Sequence, residues 1–147
     1  MNKSNLSPHL LILLAGDLLV ILSFVWIGRS NHHLSVTDLT ADLSTAAPFI
    51  LSWFLITPWF GLYQSEVSQN WRRVAPRLLL AWAIAGPLAL MLRSLFLGRS
   101  IFGGIIPIFA VVSLTYIGVV ALLWRLGYIG WVTHSLKQNN DVRKSKL

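Results

Sequence analysis

The chain has 147 residues, 55% of them hydrophobic and 12% charged, and its mean hydropathy of +0.66 excludes an ordinary soluble domain. It has no cysteine, which excludes disulfides, iron–sulfur ligation and cysteine-based zinc sites. The net charge of +7 comes largely from basic residues that flank apolar segments, which favours a lipid bilayer over nucleic acid as the partner.

The first predicted element is a membrane span over about residues 9–28. Its apolar run is long enough to cross a bilayer and has one carboxylate, Asp17, near its middle. Ser7 and Pro8 favour a helix start, because serine caps helices and proline suits the first helical position. The run is too long for a signal peptide and meets no small-residue cleavage motif, so we interpret it as a retained span.

The second span is predicted over about residues 47–63, beginning near Pro48. The polar segment before it, residues 29–47, contains three leucines that could form the apolar side of a short interfacial helix. These are Leu34, Leu39 and Leu43. Asp38 and Asp42 would then face water.

Two further spans are predicted over about residues 77–97 and 105–129, after a loop that carries Trp71-Arg72-Arg73. Residues 134–147 are polar and basic and are predicted to be a disordered cytoplasmic tail. The membrane domain therefore covers residues 1–133. The predicted fold is an all-α integral membrane protein with four transmembrane helices.

The distribution of lysine and arginine predicts the orientation of these spans. Eight of these residues lie on the side that holds the N-terminus, the second loop and the C-terminus, whereas the other side has only Arg29 and Arg99. Since short cytoplasmic loops are enriched in lysine and arginine, both termini are predicted to be cytoplasmic.

The first and third spans also match each other at a constant offset of seventy residues. Gly16 corresponds to Gly86, and Gly28-Arg29-Ser30 corresponds to Gly98-Arg99-Ser100. One interpretation is a parallel repeat of two helical hairpins about an axis along the membrane normal. Chance agreement between leucine-rich segments is the other.

A rise of ~1.5 Å per residue through a core of ~30 Å places polar or helix-breaking residues of all four spans at one depth. This candidate midplane site consists of Asp17, Thr57, Pro58, Pro87, Ser113, Thr115 and Tyr116. A carboxylate at this depth costs roughly 2.5 to 3.5 kcal/mol on an isolated helix, so Asp17 is predicted to face the bundle interior. Arg93 is its nearest predicted cation, about 10 Å away along the membrane normal, where a direct pair is marginal and a pair bridged by water is the alternative. Arg125, counted from Gly104, is predicted near the inner interface and is the worse partner.

The midplane site has a structural and a functional interpretation. It could be a polar network that fixes the register of the helices. It could also be a proton or small-solute site at broken helices, an arrangement common in transporters.

A second candidate site lies at the predicted outer ends of the first and third spans. Arg29, Arg93, Arg99 and His32 could converge on a lipid phosphate or another anion, although interfacial snorkelling of the arginines is the simpler interpretation. His32 and His33 lie near Asp38 and Asp42, but adjacent histidines in a polar loop are usually not metal ligands. We therefore predict no metal site.

The positions of the histidines argue against buried haem. His9 and His134 lie at the predicted inner edge and none lies within a span, which leaves at most one axial contact to an interfacial pigment. No nucleophile–base constellation, phosphate loop or nucleic-acid motif occurs in the sequence. We predict no enzymatic activity, no cofactor beyond an interfacial pigment or lipid, and no nucleic-acid partner.

Several motifs together suggest a family. They are Gly16-Asp17, Gly28-Arg29-Ser30 followed by His32, Pro48-Phe49 with Trp53 and Pro58-Trp59, Trp82 with Gly86 and Arg93, and Leu123-Trp124-Arg125. Through them the chain resembles, over nearly its whole length, a small prokaryotic membrane family known as domain of unknown function 3054. The resemblance implies a four-helix integral membrane protein of the kind at home in actinobacterial, cyanobacterial and archaeal membranes. It implies no activity and no catalytic residue.

Two functions follow as hypotheses. The first is a non-enzymatic membrane accessory, assembly or scaffold protein that packs against a larger complex or a second copy of itself. The second is a small-solute or proton-coupled carrier that uses Asp17 as its titrating group. In either case we expect a multi-pass protein of the bacterial inner membrane, or of a thylakoid or plasma membrane if the source is photosynthetic.

Overall fold

The computed structural model describes residues 8–31, 39–101 and 103–145, and within these ranges the chain is helical without strands. The helices are α1 (Pro8–Asn31), α2 (Leu39–Ile56), the single turn α3 (Ser65–Ser68), α4 (Trp71–Phe96) and α5 (Pro107–Ser145). A short 3-10 helix, Thr57–Phe60, continues α2.

Four of these helices are long and apolar enough to cross a membrane. The spans are Pro8–Ser30, Asp42–Phe60, Trp71–Phe96 and Pro107–Ser135. This confirms the predicted all-α fold with four spans, and the chain is a multi-pass membrane protein. Leucine and isoleucine side chains such as Leu19 and Ile108 point away from the bundle, where lipid would surround them.

Helix α2 differs from its predicted bounds, because it begins at Leu39 and contains Pro48 in its interior. Leu43 therefore belongs to the same helix as the second span, while Leu34, His33 and Asp38 lie outside the described residues. A membrane helix tolerates an interior proline when its neighbours compensate for the missing hydrogen bond. Pro48 and Phe49 are both fully buried, so packing holds the helix together at this point.

The last two spans are also longer than predicted. Helix α4 begins at Trp71, where the side chain of Asn70 caps it by accepting a hydrogen bond of 3.1 Å from the backbone nitrogen of Arg72. Helix α5 continues to Ser145 through residues for which the sequence predicts a disordered tail. No glycine or proline occurs after Gly130 to stop it.

The four spans pack in the cyclic order α1, α2, α4, α5. Helix α1 packs against α2 and α5, helix α4 packs against the same two, and α1 and α4 lie diagonally opposite each other. A parallel repeat of two hairpins requires this diagonal placement of its equivalent helices. The duplication itself stays a prediction.

Aromatic side chains fill much of the space between the helices. Phe24 makes edge-to-face contacts with Phe49 and Phe109, at ring-centroid distances of 5.7 Å and 5.9 Å. The indole nitrogen of Trp82 donates to the backbone oxygen of Leu114 at 2.9 Å and so ties α4 to α5. Three alanines that form a small-residue ridge along α4 are also fully buried. They are Ala81, Ala85 and Ala89.

Candidate functional site: a buried ion pair between the first and last spans

Asp17 of α1 and Arg125 of α5 form an ion pair inside the bundle. The Nη2 atom of Arg125 donates to Oδ2 of Asp17 at 2.6 Å, and its Nε atom donates to Oδ1 at 3.1 Å. Both side chains are completely buried. This two-point geometry matches the fork of a guanidinium to the two oxygens of a carboxylate, which is the strongest form of protein ion pair.

Two aromatic side chains complete the coordination of the carboxylate. The indole nitrogen of Trp53 on α2 donates to Oδ2 of Asp17 at 3.0 Å, and the hydroxyl of Tyr63 donates to the same oxygen at 2.9 Å. Thr57 lies behind them, where its hydroxyl donates to the backbone oxygen of Trp53 at 2.7 Å and lies 3.2 Å from the Tyr63 oxygen. Four donors therefore surround the carboxylate, which fits its ionised form.

The guanidinium of Arg125 has two further partners besides Asp17. Its Nη1 atom donates to the backbone oxygen of Leu62 at 3.0 Å, and its central carbon lies 5.1 Å from the centre of the Tyr63 ring. Gly61 reverses the chain just before Leu62 with a φ of 65°, a left-handed conformation that glycine adopts without steric cost. This turn brings the Leu62 carbonyl and the Tyr63 ring to the arginine.

The sequence predicts Arg93 as the better partner of Asp17 and Arg125 as the worse one, and this prediction is wrong. The span in α5 covers Pro107–Ser135, so Arg125 lies only four residues, about 6 Å along the axis, from its centre. Side chains lean toward the start of their own helix. Because α1 and α5 run in opposite directions, Asp17 and Arg125 lean toward each other.

The other members of the predicted midplane site do not join this network. Ser113 donates to the backbone oxygen of Ala110 on its own helix at 3.2 Å, and the Tyr116 hydroxyl lies 3.2 Å from that of Ser23. The remaining predicted members are exposed. They are Pro58, Pro87 and Thr115. Of the seven predicted residues, only Asp17 and Thr57 meet in the buried network.

Sequence reasoning missed Trp53 and Tyr63 as ligands of the carboxylate. A signal was available, because a buried indole or phenol normally needs a hydrogen-bond partner and Trp53 lies in the interior of its span. The network as a whole connects α1, α2, the turn that follows α2, and α5. The network holds the carboxylate in one position, since both of its oxygens accept hydrogen bonds from protein donors.

A family model matches the part of the chain that contains this network. The family model described as "Protein of unknown function (DUF3054)" matches residues 14–128. The chain belongs to this family. No curated protein and no solved structure matches it. The matched residues of this DUF3054 chain include the whole network, from Asp17 to Arg125.

The DUF3054 chain has a second polar cluster, at the end of the bundle opposite its termini. Arg29 forms an ion pair with Asp42, and the guanidinium of Arg93 lies 4.1 Å from the centre of the Phe109 ring. Arg29 and Arg93 line one cavity of about 380 Å³, although their helices are diagonal in the bundle. Arg99 is exposed beyond the end of α4, and His32 lies outside the described residues. Within the described part of the chain, no group of three or more histidine, aspartate or glutamate side chains could hold a metal.

Proposed function

We propose that this protein is a non-enzymatic accessory or scaffold protein of the bacterial cytoplasmic membrane, which acts by packing against a larger membrane complex or a second copy of itself. The observation that carries the proposal is the state of Asp17. Its carboxylate is completely buried and accepts hydrogen bonds from Arg125, Trp53 and Tyr63. A carrier that uses an acid as its titrating group needs that acid to exchange protons or solute with water. A buried carboxylate whose oxygens are both hydrogen-bonded by the protein is unsuited to that exchange.

The buried, fully hydrogen-bonded carboxylate of Asp17 also supports a bundle that keeps a single conformation. The ion pair joins the first span to the last, and Trp53 and Tyr63 add the second span to it. Breaking the pair would leave two charges uncompensated in a low-dielectric interior. A rigid four-helix unit of this kind is suited to presenting a fixed outer surface to a partner.

A transport measurement tests the proposal against the carrier hypothesis. Purified protein in liposomes is expected to give the same pH-driven proton uptake as protein-free liposomes, because Asp17, the acid inside the bundle, is completely buried. The matched variants are Asp17→Asn and Asp42→Asn, which remove the same charge from a buried and from a partly exposed ion pair. If the wild-type protein takes up protons and a folded Asp17→Asn variant does not, the protein is a carrier instead.

An assembly measurement on native membranes complements the transport measurement. After mild solubilisation, the wild-type protein is expected to migrate with an assembly larger than the 16.5 kDa chain. Asp17→Asn is expected to reduce the size of that assembly, whereas Asp42→Asn leaves it unchanged. Migration of the wild-type protein as a monomer would contradict the scaffold proposal.

The absence of cysteine makes the proposed orientation directly measurable. A single cysteine can be introduced by Ser30→Cys at the end of α1 or by Ser65→Cys in α3, and both serines are exposed. With cytoplasmic termini, a membrane-impermeant maleimide added to intact cells is expected to label the variant at position 30 and not the variant at position 65. Labelling at position 65 alone would reverse the orientation.

A further inference from the structure

The cavity between Arg29 and Arg93 has a polar end and an apolar side. Phe24 and Val25 are buried and form part of its wall, whereas Ile108 and Val112 on α5 are 71% and 51% exposed. The exposed pair opens the cavity toward the surroundings of the bundle. Since these residues lie in a membrane span, the cavity opens toward lipid.

Arg93 is incompletely satisfied in this cavity. One face of its guanidinium stacks on Phe109, but its Nε atom is buried and has no hydrogen-bond partner among the described residues. An unpaired donor of a charged group is costly in a low-dielectric environment. An acceptor from outside the protein would remove this cost.

The charges around the cavity favour an anion as that acceptor. Arg29 is compensated by its ion pair with Asp42, so Arg93 supplies the excess positive charge on the cavity wall. The nearby cation Arg99 repels Arg93 and adds to the positive potential. Arg93 lies three residues before the end of α4. Because the end of a membrane span reaches the headgroup region, we place Arg93 near the phospholipid headgroups.

We propose that this cavity binds an anionic phospholipid. Arg93 hydrogen-bonds the phosphate of the headgroup, and one acyl chain follows the exposed side chains of Ile108 and Val112. Arginine suits this role, because its planar fork matches phosphate oxygens and its aliphatic stem can lie in an apolar wall. The excess positive charge selects an anionic headgroup over a zwitterionic one.

Lipid retention measures this binding in the full-length protein. The purified chain is equilibrated with equal amounts of phosphatidylglycerol and phosphatidylethanolamine in detergent, and bound lipid is counted by native mass spectrometry. Phosphatidylglycerol is expected to be retained preferentially. Arg93→Gln should reduce its retention roughly tenfold, the loss expected when one charge-assisted hydrogen bond is removed.

Arg72→Gln is the matched charge control, because Arg72 is exposed beside Trp71 at the opposite end of α4 from Arg93. It should change retention by less than about twofold, as for other exposed charges. Equal retention by Arg93→Gln and the wild-type protein would overturn the proposal. An equal loss in Arg72→Gln would also overturn it, since the effect would then depend only on net charge.

A second pair of variants tests the cavity without changing any charge. Val112→Trp should fill the cavity and reduce phosphatidylglycerol retention, whereas Val119→Trp, two turns further along the same helix, should not. The two valines are 51% and 52% exposed, so neither substitution disturbs the core. Unchanged retention in Val112→Trp would overturn the assignment of the cavity. Release of the lipid by an equal concentration of inorganic phosphate would identify a site for free anions and overturn the assignment to lipid.

Discussion

The variant Asp17→Asn is expected to lower the free energy of unfolding by roughly 3–5 kcal/mol, the loss typical when one partner of a buried ion pair is removed. The amide is nearly the same size as the carboxylate, so the packing is retained and the charge of Arg125 is left uncompensated. Trp53 and Tyr63 also lose a charged acceptor for their hydrogen bonds. Reversible unfolding of the purified protein in mixed micelles, followed by circular dichroism, measures the change.

The double variant Asp17→Leu/Arg125→Met separates the cost of an unpaired charge from the net value of the pair. Replacing both partners by apolar residues leaves no buried charge, so the double variant should be more stable than either single variant. Asp42→Asn is the control, because its pair with Arg29 is partly exposed and should contribute only about 0–1 kcal/mol. If Asp17→Asn costs no more than Asp42→Asn, the buried pair does not stabilise the bundle.

The second large effect is expected at Gly16, immediately before Asp17. A Cβ atom added at this position would overlap the indole ring of Trp124, which lies directly over the α1 backbone. Gly16→Ala should therefore displace the indole and destabilise the protein by roughly 1–3 kcal/mol, the usual cost of overpacking. Since Trp124 precedes Arg125, the displacement also disturbs the ion pair.

Gly28→Ala on the same helix is the matched control for Gly16→Ala. Nothing lies within 4 Å of a Cβ atom added at Gly28, so alanine meets no steric conflict there. Its better helix propensity should stabilise the protein by up to about 1 kcal/mol. The two variants are thus expected to shift the unfolding transition in opposite directions, and a shift of equal size and sign in both would show that Trp124 does not require a glycine.

The fold was predictable because the bilayer constrains it so strongly. Apolar runs of bilayer length identify all four spans, and the cost of a buried carboxylate places Asp17 inside the bundle. The bounds were harder to predict, since Pro48 looks like a helix start and lies instead within α2. Membrane helices accept an interior proline that would usually end or kink a soluble helix, so proline is a weaker boundary signal here.

The partner of Asp17 was not predictable by counting residues. Counting from Gly104 places Arg125 near the inner interface, whereas the span in α5 begins at Pro107 and extends to Ser135, which moves Arg125 toward the centre. Arg93 lies in α4, diagonally across the bundle from α1. Hydropathy gives the depth of a residue but not which helices are neighbours, and the neighbours decide which charges meet.

The ion pair also has a consequence for biogenesis, because its two partners are separated by 108 residues. At a synthesis rate of about 5–20 residues per second, Asp17 leaves the ribosome roughly 5–20 s before Arg125. Of the side chains that bind this carboxylate in the described part of the chain, Trp53 and Tyr63 follow 36 and 46 residues after Asp17, and Arg125 comes last. The carboxylate therefore lacks its cationic partner until the last helix has been made, and a chain truncated before Arg125 would keep an acid in its first span without that partner.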